Sequence, residues 1–283
     1  MILENLKERG FYLQRIINSN ACKDIGPLKD VDISLDKVRQ KFIIRNKLRN
    51  YSGKKRLGIL WLIMDPVAYS LVYLFVLTVV RSNPNFESLF IGISMYRMFQ
   101  GSFMSGVGSI DKFSGGIICE RVRSRVLVSA AIKYRFLETI IQSSGISIIL
   151  FFFLEVNILS VMSFISLSLL IGVLAEGVGL NMSKLVRRIP DIRNLVNYFM
   201  LVMFFGSPVL YPLARTSGLH YRINEFNPFT YFVETVRFIA DLESSLTDFS
   251  IGITLSLSII VIFLSLRGYL QIDRLRWDVS SWS

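Results

Sequence analysis

The chain has 283 residues, of which 52% are hydrophobic and only 19% charged, a balance too apolar for an ordinary water-soluble domain and one that points to a bilayer as solvent. Its formal net charge of +11 suits nucleic acid, anionic lipid or the orientation of a membrane protein. The distribution of Lys and Arg along the chain separates these readings.

Residues 1–56 form a basic lead with no apolar core of signal-peptide type, so a cytosolic start is expected. Its second part, from about Asp36 to Tyr51, has helical composition and an imperfect apolar stripe of Val38, Phe42, Ile44, Leu48 and Tyr51, on which Lys41 and Arg45 intrude. Long basic side chains snorkel, so this segment reads as an amphipathic helix lying on the anionic inner leaflet, with a solvated basic helix as the alternative.

A first span is expected over 57–80, ending at Ser82-Asn83-Pro84, and a second over 86–110. The second contains Arg97, which would cost roughly 2.5–3.5 kcal/mol at the bilayer centre. Either Arg97 faces a pore, or the span begins deeper and the side chain snorkels. The segment Asp111 to Arg135, with its Gly115-Gly116 break and dense basic charge, reads as a cytosolic loop holding a short helix. Spans three and four follow at 136–156 and 160–182.

After a compact basic loop at 183–193, a fifth span runs from about Asn194 until Pro208 and Pro212 stop it, since each proline removes a backbone donor and clashes with the preceding turn. The stretch Phe226 to Leu242 is broken by Asn227-Pro228, carries Glu234, Arg237 and Asp241, and is too short and charged to cross. A re-entrant or interfacial hairpin on the outer side fits, and broken backbone at membrane depth implies surrounding protein or a water-filled pathway. A sixth span, 249–267, leads to a short basic tail.

Basic residues crowd the lead, the 112–135 and 184–193 segments and the tail, whereas the segments left for the other side hold only Arg81, Arg215, Arg222 and Arg237. The expectation is therefore an all-α, polytopic protein of the cytoplasmic membrane, with six crossings and both termini cytosolic. Topology accounts for the charge, and no nucleic-acid partner is expected.

A catalytic centre needs convergent acids, bases, nucleophiles or metal ligands, and none is evident. Asp65, Glu155 and Glu176 are the acids most embedded in apolar sequence. The two glutamates read as lying near span ends, and Asp65-Pro66 as a helix break. Cys22 and Cys119 fall in segments assigned to the cytosol, and the single histidine, His220, reads as a loop residue. Ser52-Gly53-Lys54-Lys55 lacks the spacing of a phosphate loop. No cofactor is expected in this chain, and any ATP must be handled by another.

Two blocks carry a family resemblance. The first is Leu57-Gly58-Ile59-Leu60-Trp61 followed by Asp65-Pro66. The second is Phe204-Phe205-Gly206-Ser207-Pro208-Val209-Leu210-Tyr211-Pro212, followed by Asn227-Pro228-Phe229-Thr230 and Glu234-Thr235-Val236-Arg237. Their order resembles the permease subunit of ABC-2 type exporters, in the branch that moves O-antigen, capsular polysaccharide and teichoic acid. The resemblance covers about residues 36–267, and makes 57–283 one transmembrane domain behind the 1–56 lead. Asp65 stands where the family has Asn, Val122-Arg123-Ser124-Arg125 lacks the usual aromatic pair and proline, and Pro190 replaces an Arg before Asp191.

The resemblance implies a homodimer with its conduit between two copies and two separate cytosolic ATPase subunits, which hold ATP and Mg. By the same analogy, coupling contacts are expected at Arg45, Arg49, Arg121, Arg123 and Asp191, or these charges only set topology. The function implied is passage of a lipid-linked glycan, with Tyr69, Tyr73, Tyr96, Phe99, Tyr198, Phe204 and Phe205, together with Arg97, as candidates to line the path. Pro208, Tyr211, Pro212, Asn227, Pro228, Glu234 and Arg237 would shape the outer hairpin. Export of a drug or lipid is the alternative within transport, and an integral membrane enzyme of glycan or lipid assembly is the alternative from another class.

Overall fold

The computed structural model describes residues 33–53, 58–80, 85–109 and 124–271, and their regular structure is helical throughout. In chain order the helices are α1 (Ile33–Gly53), α2 (Trp61–Val80), α3 (Phe86–Val107), α4 (Ser124–Phe153), α5 (Ile158–Arg188), α6 (Ile192–Gly206), α7 (Gly218–Glu225), α8 (Pro228–Ile239) and α9 (Ile251–Leu270). Single 3-10 turns occur at Gly58–Leu60, Leu213–Arg215 and Leu246–Asp248.

Among the described residues, four helices are long and apolar enough to cross a membrane: α2 over Trp61–Val79, α4 over Val128–Phe153, α5 over Ile158–Val186, and α9. Their outward side chains are those of a protein in lipid. Phe75, Val79, Ile251, Ile259 and Phe263 are exposed while Ser70, Ser94, Ser102 and Ser168 are buried, which inverts the arrangement of a soluble domain.

Three expectations change. The segment 124–135 is not loop but the first three turns of α4, because no proline and only Gly145 interrupts the sequence from Ser124 to Phe153. Asp65-Pro66 does not break α2. Pro66 stands near the helix start, where it costs one backbone bond, and its own carbonyl additionally accepts from Ser70 Oγ at 2.7 Å. Glu176 lies inside α5, buried, and accepts from Ser105 Oγ of α3 at 3.2 Å, whereas Glu155 does occupy the α4–α5 turn, with φ +51°.

The core is built around α3. Leu89, Phe90, Ile93, Tyr96 and Met98 pack against Ile146 and Leu150 of α4, Phe164 and Ile171 of α5, and Phe229, Val233 and Val236 of α8. The α3–α5 contact is the most extensive. It is close because Gly106 and Gly179 oppose each other's backbones: a Cβ at 106 would overlap the Glu176 carbonyl oxygen, and one at 179 that of Phe103. Such small-residue crossings are the usual means by which helices approach in lipid.

The face that α1 turns to α4 carries part of the apolar stripe, Ile44 and Leu48, both half-buried, beside polar contacts. Gln40 donates to Ser129 Oγ at 2.6 Å and accepts from Lys133 Nζ at 2.7 Å, and Lys47 Nζ lies 5.5 Å from the Tyr134 ring centre. Val38 and Phe42 remain exposed, one turn apart on the same face.

Overpacking a tight crossing costs about 1–3 kcal/mol. Gly106→Ala and Gly179→Ala should therefore each lower the thermal unfolding temperature in detergent. Gly206→Ala, where a Cβ meets nothing within 4 Å, should stay within about 0.5 kcal/mol of the parent.

Candidate functional site

Helix α6 stops where the prolines require it. Gly206 is its last residue, Ser207 is extended, and the chain passes through Pro208 and Pro212 before α7. Side chains take up the backbone groups this leaves open. Asn224 donates to the Gly206 carbonyl at 2.8 Å, Asn227 donates to Ser207 Oγ at 2.8 Å, and the Asn227 side-chain oxygen accepts from Phe229 N at 3.1 Å to cap α8, whose first residue is Pro228. Tyr211 OH donates to the Phe205 carbonyl at 3.2 Å and pairs with His220 Nε2 at 2.8 Å. His220 thus lies in α7, not in a loop.

Glu234 and Arg237, one turn apart on α8, are both 0% exposed and 2.9 Å apart. The guanidinium also donates to the carbonyls of Pro208 at 2.6 Å, Tyr211 at 3.3 Å, Val209 at 3.2 Å and Ser88 of α3 at 3.0 Å. The Glu234 carboxylate accepts from Leu213 N at 3.3 Å and Ser245 N at 2.9 Å. All seven residues expected to shape the connection from α6 to α9 are therefore brought to one place. Farther out, Arg215 is hydrogen-bonded to Glu243 and holds that carboxyl below the usual carboxylate range.

Beneath this connection lies a continuous aromatic cluster. Tyr73 of α2 meets Phe204 at 5.1 Å, Phe204 meets Tyr96 at 5.1 Å, and Tyr96 and Phe99 both meet Phe229 of α8, at 5.5 and 5.2 Å. Tyr96 OH donates to the Met200 carbonyl. Tyr96 and Phe204 are enclosed, whereas Tyr69, Tyr198 and Phe205 present open surface. The candidate lining residues thus divide between interior packing and exterior faces.

An open polar recess of 330 Å³ separates α2, α3 and α4, lined by Asp65, Arg97, Gln100, Arg135, Glu138 and Gln142 among others. Arg135 is anchored there, donating to Glu138 at 2.8 Å, Ser102 Oγ at 3.1 Å and the Met98 carbonyl at 3.2 Å. Arg97 lies over the Tyr69 ring, 4.2 Å from its centre, and donates to Gln100 at 3.5 Å.

The sequence that builds these helices, the proline-broken connection and its buried Arg-Glu pair matches the family model of the ABC-2 type transporter over residues 40–240. The chain belongs to the ABC-2 type transporter family. Two Escherichia coli proteins, each named polysialic acid transport protein KpsM, are 24% identical to this permease over 212 residues, covering 72% of this chain and 81% of theirs.

Of the ABC-2 permease's expected coupling residues, Arg45 and Arg49 are exposed on α1 and Asp191 is exposed at the α5–α6 turn; Arg121 and Arg123 lie outside the described residues, as do Cys22 and Cys119. Sequence reasoning missed Ser88, Gly92 and Asn224. A Cβ at position 92 would overlap the Val209 carbonyl and stand 2.9 Å from Arg237, so the glycine is what lets the break approach α3 at this point. A glycine within an otherwise apolar span was the available signal.

Removing one partner of a buried pair costs about 3–5 kcal/mol. Arg237→Met should lose at least that much in detergent unfolding, because it also strands the Pro208 and Val209 carbonyls. Glu234→Gln should lose less, since an amide oxygen still accepts from Ser245 or Leu213. Equal losses would sink the account of Arg237 as the group that collects the carbonyls.

Proposed function

We propose that this chain is the transmembrane subunit of an ATP-driven exporter that moves a lipid-linked polysaccharide across the cytoplasmic membrane. The observation that carries the glycan reading is the similarity, over most of both chains, to two proteins whose names assign them polysialic acid transport. ATP and Mg belong to two separate cytosolic ATPase subunits, and this chain contributes the path.

The proposed topology has six crossings, by α2, α3, α4, α5, α6 and α9, with both termini cytosolic. Helix α3 is long enough for a crossing at 22 residues, and its Ser, Gln and Arg content is tolerable because neighbouring helices enclose much of it. Helix α6, at 15 residues, spans about 22 Å and falls short of roughly 30 Å of hydrocarbon. The broken segment and α7–α8 make up the difference as a re-entrant hairpin on the outer side. Its carbonyls are collected by Arg237 and Asn224, which supports placing irregular backbone at that depth.

The exposed apolar side chains on α2, α6 and α9, such as Phe75, Tyr198, Val202 and Phe263, suit lipid and a second copy of the chain, with the conduit between copies. On the inner side, α1 presents Val38, Phe42, Arg45 and Arg49 on one exposed face, and this face, with Asp191 of the α5–α6 turn, is offered to the ATPases. Closure of the ATPases on ATP is passed through α1 to α4 by the Gln40–Ser129, Gln40–Lys133 and Lys47–Tyr134 contacts.

The test is affinity purification of the tagged chain in mild detergent, followed by identification of what co-purifies and an assay of ATP hydrolysis. A stoichiometric ATPase is expected, as is intracellular accumulation of a surface polymer when the chain is deleted. A chain that repeatedly purifies alone, from cells whose surface glycans are unchanged, removes the reading. Charge reversal of Arg45 and Arg49 together should lower ATPase recovery several-fold without lowering the unfolding temperature, as expected for exposed charges.

A further inference from the structure

In the recess between α2, α3 and α4, two charges have no charged partner among the described residues. Arg135 and Glu138 neutralise each other, and Ser102 and the Met98 carbonyl take further donors of the guanidinium. Asp65 of α2 makes no hydrogen bond or ion pair with any described residue, and Arg97 of α3 touches only the Tyr69 ring and the distant Gln100 oxygen. The two face the same recess and are not within ion-pair distance of each other.

Ionised groups within apolar spans are costly unless paired or wetted, so a carboxylate and a guanidinium kept apart in one recess mark a binding function. Among the described residues the charges of its lining balance, with two acids and two bases. A simple anion placed on Arg97 would leave Asp65 opposing it, and a simple cation on Asp65 would meet Arg97 in the same way. The complementary ligand carries both signs at a short separation.

Position narrows the class further. Asp65 is only four residues into α2, about 6 Å along the helix at 1.5 Å per residue, while Arg97 stands mid-way along α3, so the recess runs inward from the headgroup layer at the end of the molecule from which α2 departs. Its volume of 330 Å³ lies at the small end of the usual range for small-molecule sites, about 300–1,000 Å³. Tyr69 fixes Arg97 from behind through its ring face. The Gln100 and Gln142 amides supply neutral donors and acceptors beside the charges.

We propose that this recess binds the head group of an amine-bearing phospholipid, with the phosphate on Arg97 and the primary ammonium on Asp65. The chemistry is that of phosphoethanolamine. The ammonium donates hydrogen bonds to the carboxylate, which a trimethylated amine cannot do, and the guanidinium forks onto phosphate oxygens. The proposal rests on the membrane fold alone, and neither the exported polymer nor the ATPase enters it.

The test uses the full-length chain, in the assembly in which it purifies, placed in nanodiscs of equimolar phosphatidylethanolamine, phosphatidylglycerol and phosphatidylcholine. Lipids retained after mild detergent exchange are counted by native mass spectrometry, with no nucleotide or glycan present. Phosphatidylethanolamine should be retained about fivefold over either competitor, the effect of roughly one exposed-to-half-buried ion pair. Asp65→Asn should bring it down to the level of phosphatidylglycerol, Asp65→Glu should preserve the preference, and Arg97→Gln should abolish retention of all three.

Retention that mirrors the nanodisc composition in the parent protein overturns the proposal without need of any variant. So does a preference for phosphatidylglycerol, which would make the recess a plain anion site, or an Asp65→Asn protein that keeps the parent's preference. The export reading would survive each of these outcomes, since it is tested by ATPase recovery and polymer accumulation instead.

Discussion

Five hydrogen bonds converge from the Arg237 guanidinium, four on backbone carbonyls and one on Glu234. The prolines at 208 and 212 end α6 by removing donors, and what they leave is a run of carbonyls with no helix to join. In water such groups are solvated, but in a low-dielectric interior each unmet one costs on the order of 1–3 kcal/mol. A planar cation with several donors meets several carbonyls at once, which a lysine could not do with the same geometry. Glu234 then neutralises that cation and caps Leu213 and Ser245, so one ion pair ties both ends of the connection to α8. The single orphan left among the donors of Arg237 is its Nε.

Everything around that pair converges on α3. Its first turn presents the Ser88 carbonyl, Gly92 makes room for the break, Tyr96 reaches the Met200 carbonyl on α6, Arg97 and Gln100 turn into the recess, and Ser102 and Ser105 meet Arg135 and Glu176. A helix with so many polar duties cannot also be uniformly apolar. That is why α3 lacks the hydropathy of α2, α4, α5 and α9 although it sits deeper than any of them.

Much of this was legible in the residues. The four helices apolar enough to cross followed from apolar length, the end of α6 from Pro208 and Pro212, and the family from the same block with Asn227-Pro228 and Glu234 to Arg237. What sequence could not supply was any contact made across elements. Asp65-Pro66 looked like a break because proline so often is one, yet near a helix start it removes only one bond. Residues 124–135 looked like loop because their basic charge masked an uninterrupted helical segment. Glu176 looked like a span end because its hydrogen bond comes from Ser105, 71 residues away. Arg237 was expected to help shape the outer hairpin, but the carbonyls it collects come from Ser88 of α3 and from the break, up to 149 residues away.

The two charged systems differ in what surrounds them, and this separates their roles. Around Arg237 and Glu234 the packing is complete, with α3, α8 and the break fixed by backbone contacts, so moving any one of them exposes a charge and several carbonyls together. The recess is bounded on one side by α3 and α4, which belong to the core, and on the other by α2, little of which is buried. Arg97 is tied to α2 only through the face of Tyr69, a contact worth about 0.5–2 kcal/mol and tolerant of sliding. The width of the recess is therefore set by the least anchored of its three walls, while the ion pair under the broken connection is set by the most anchored part of the molecule.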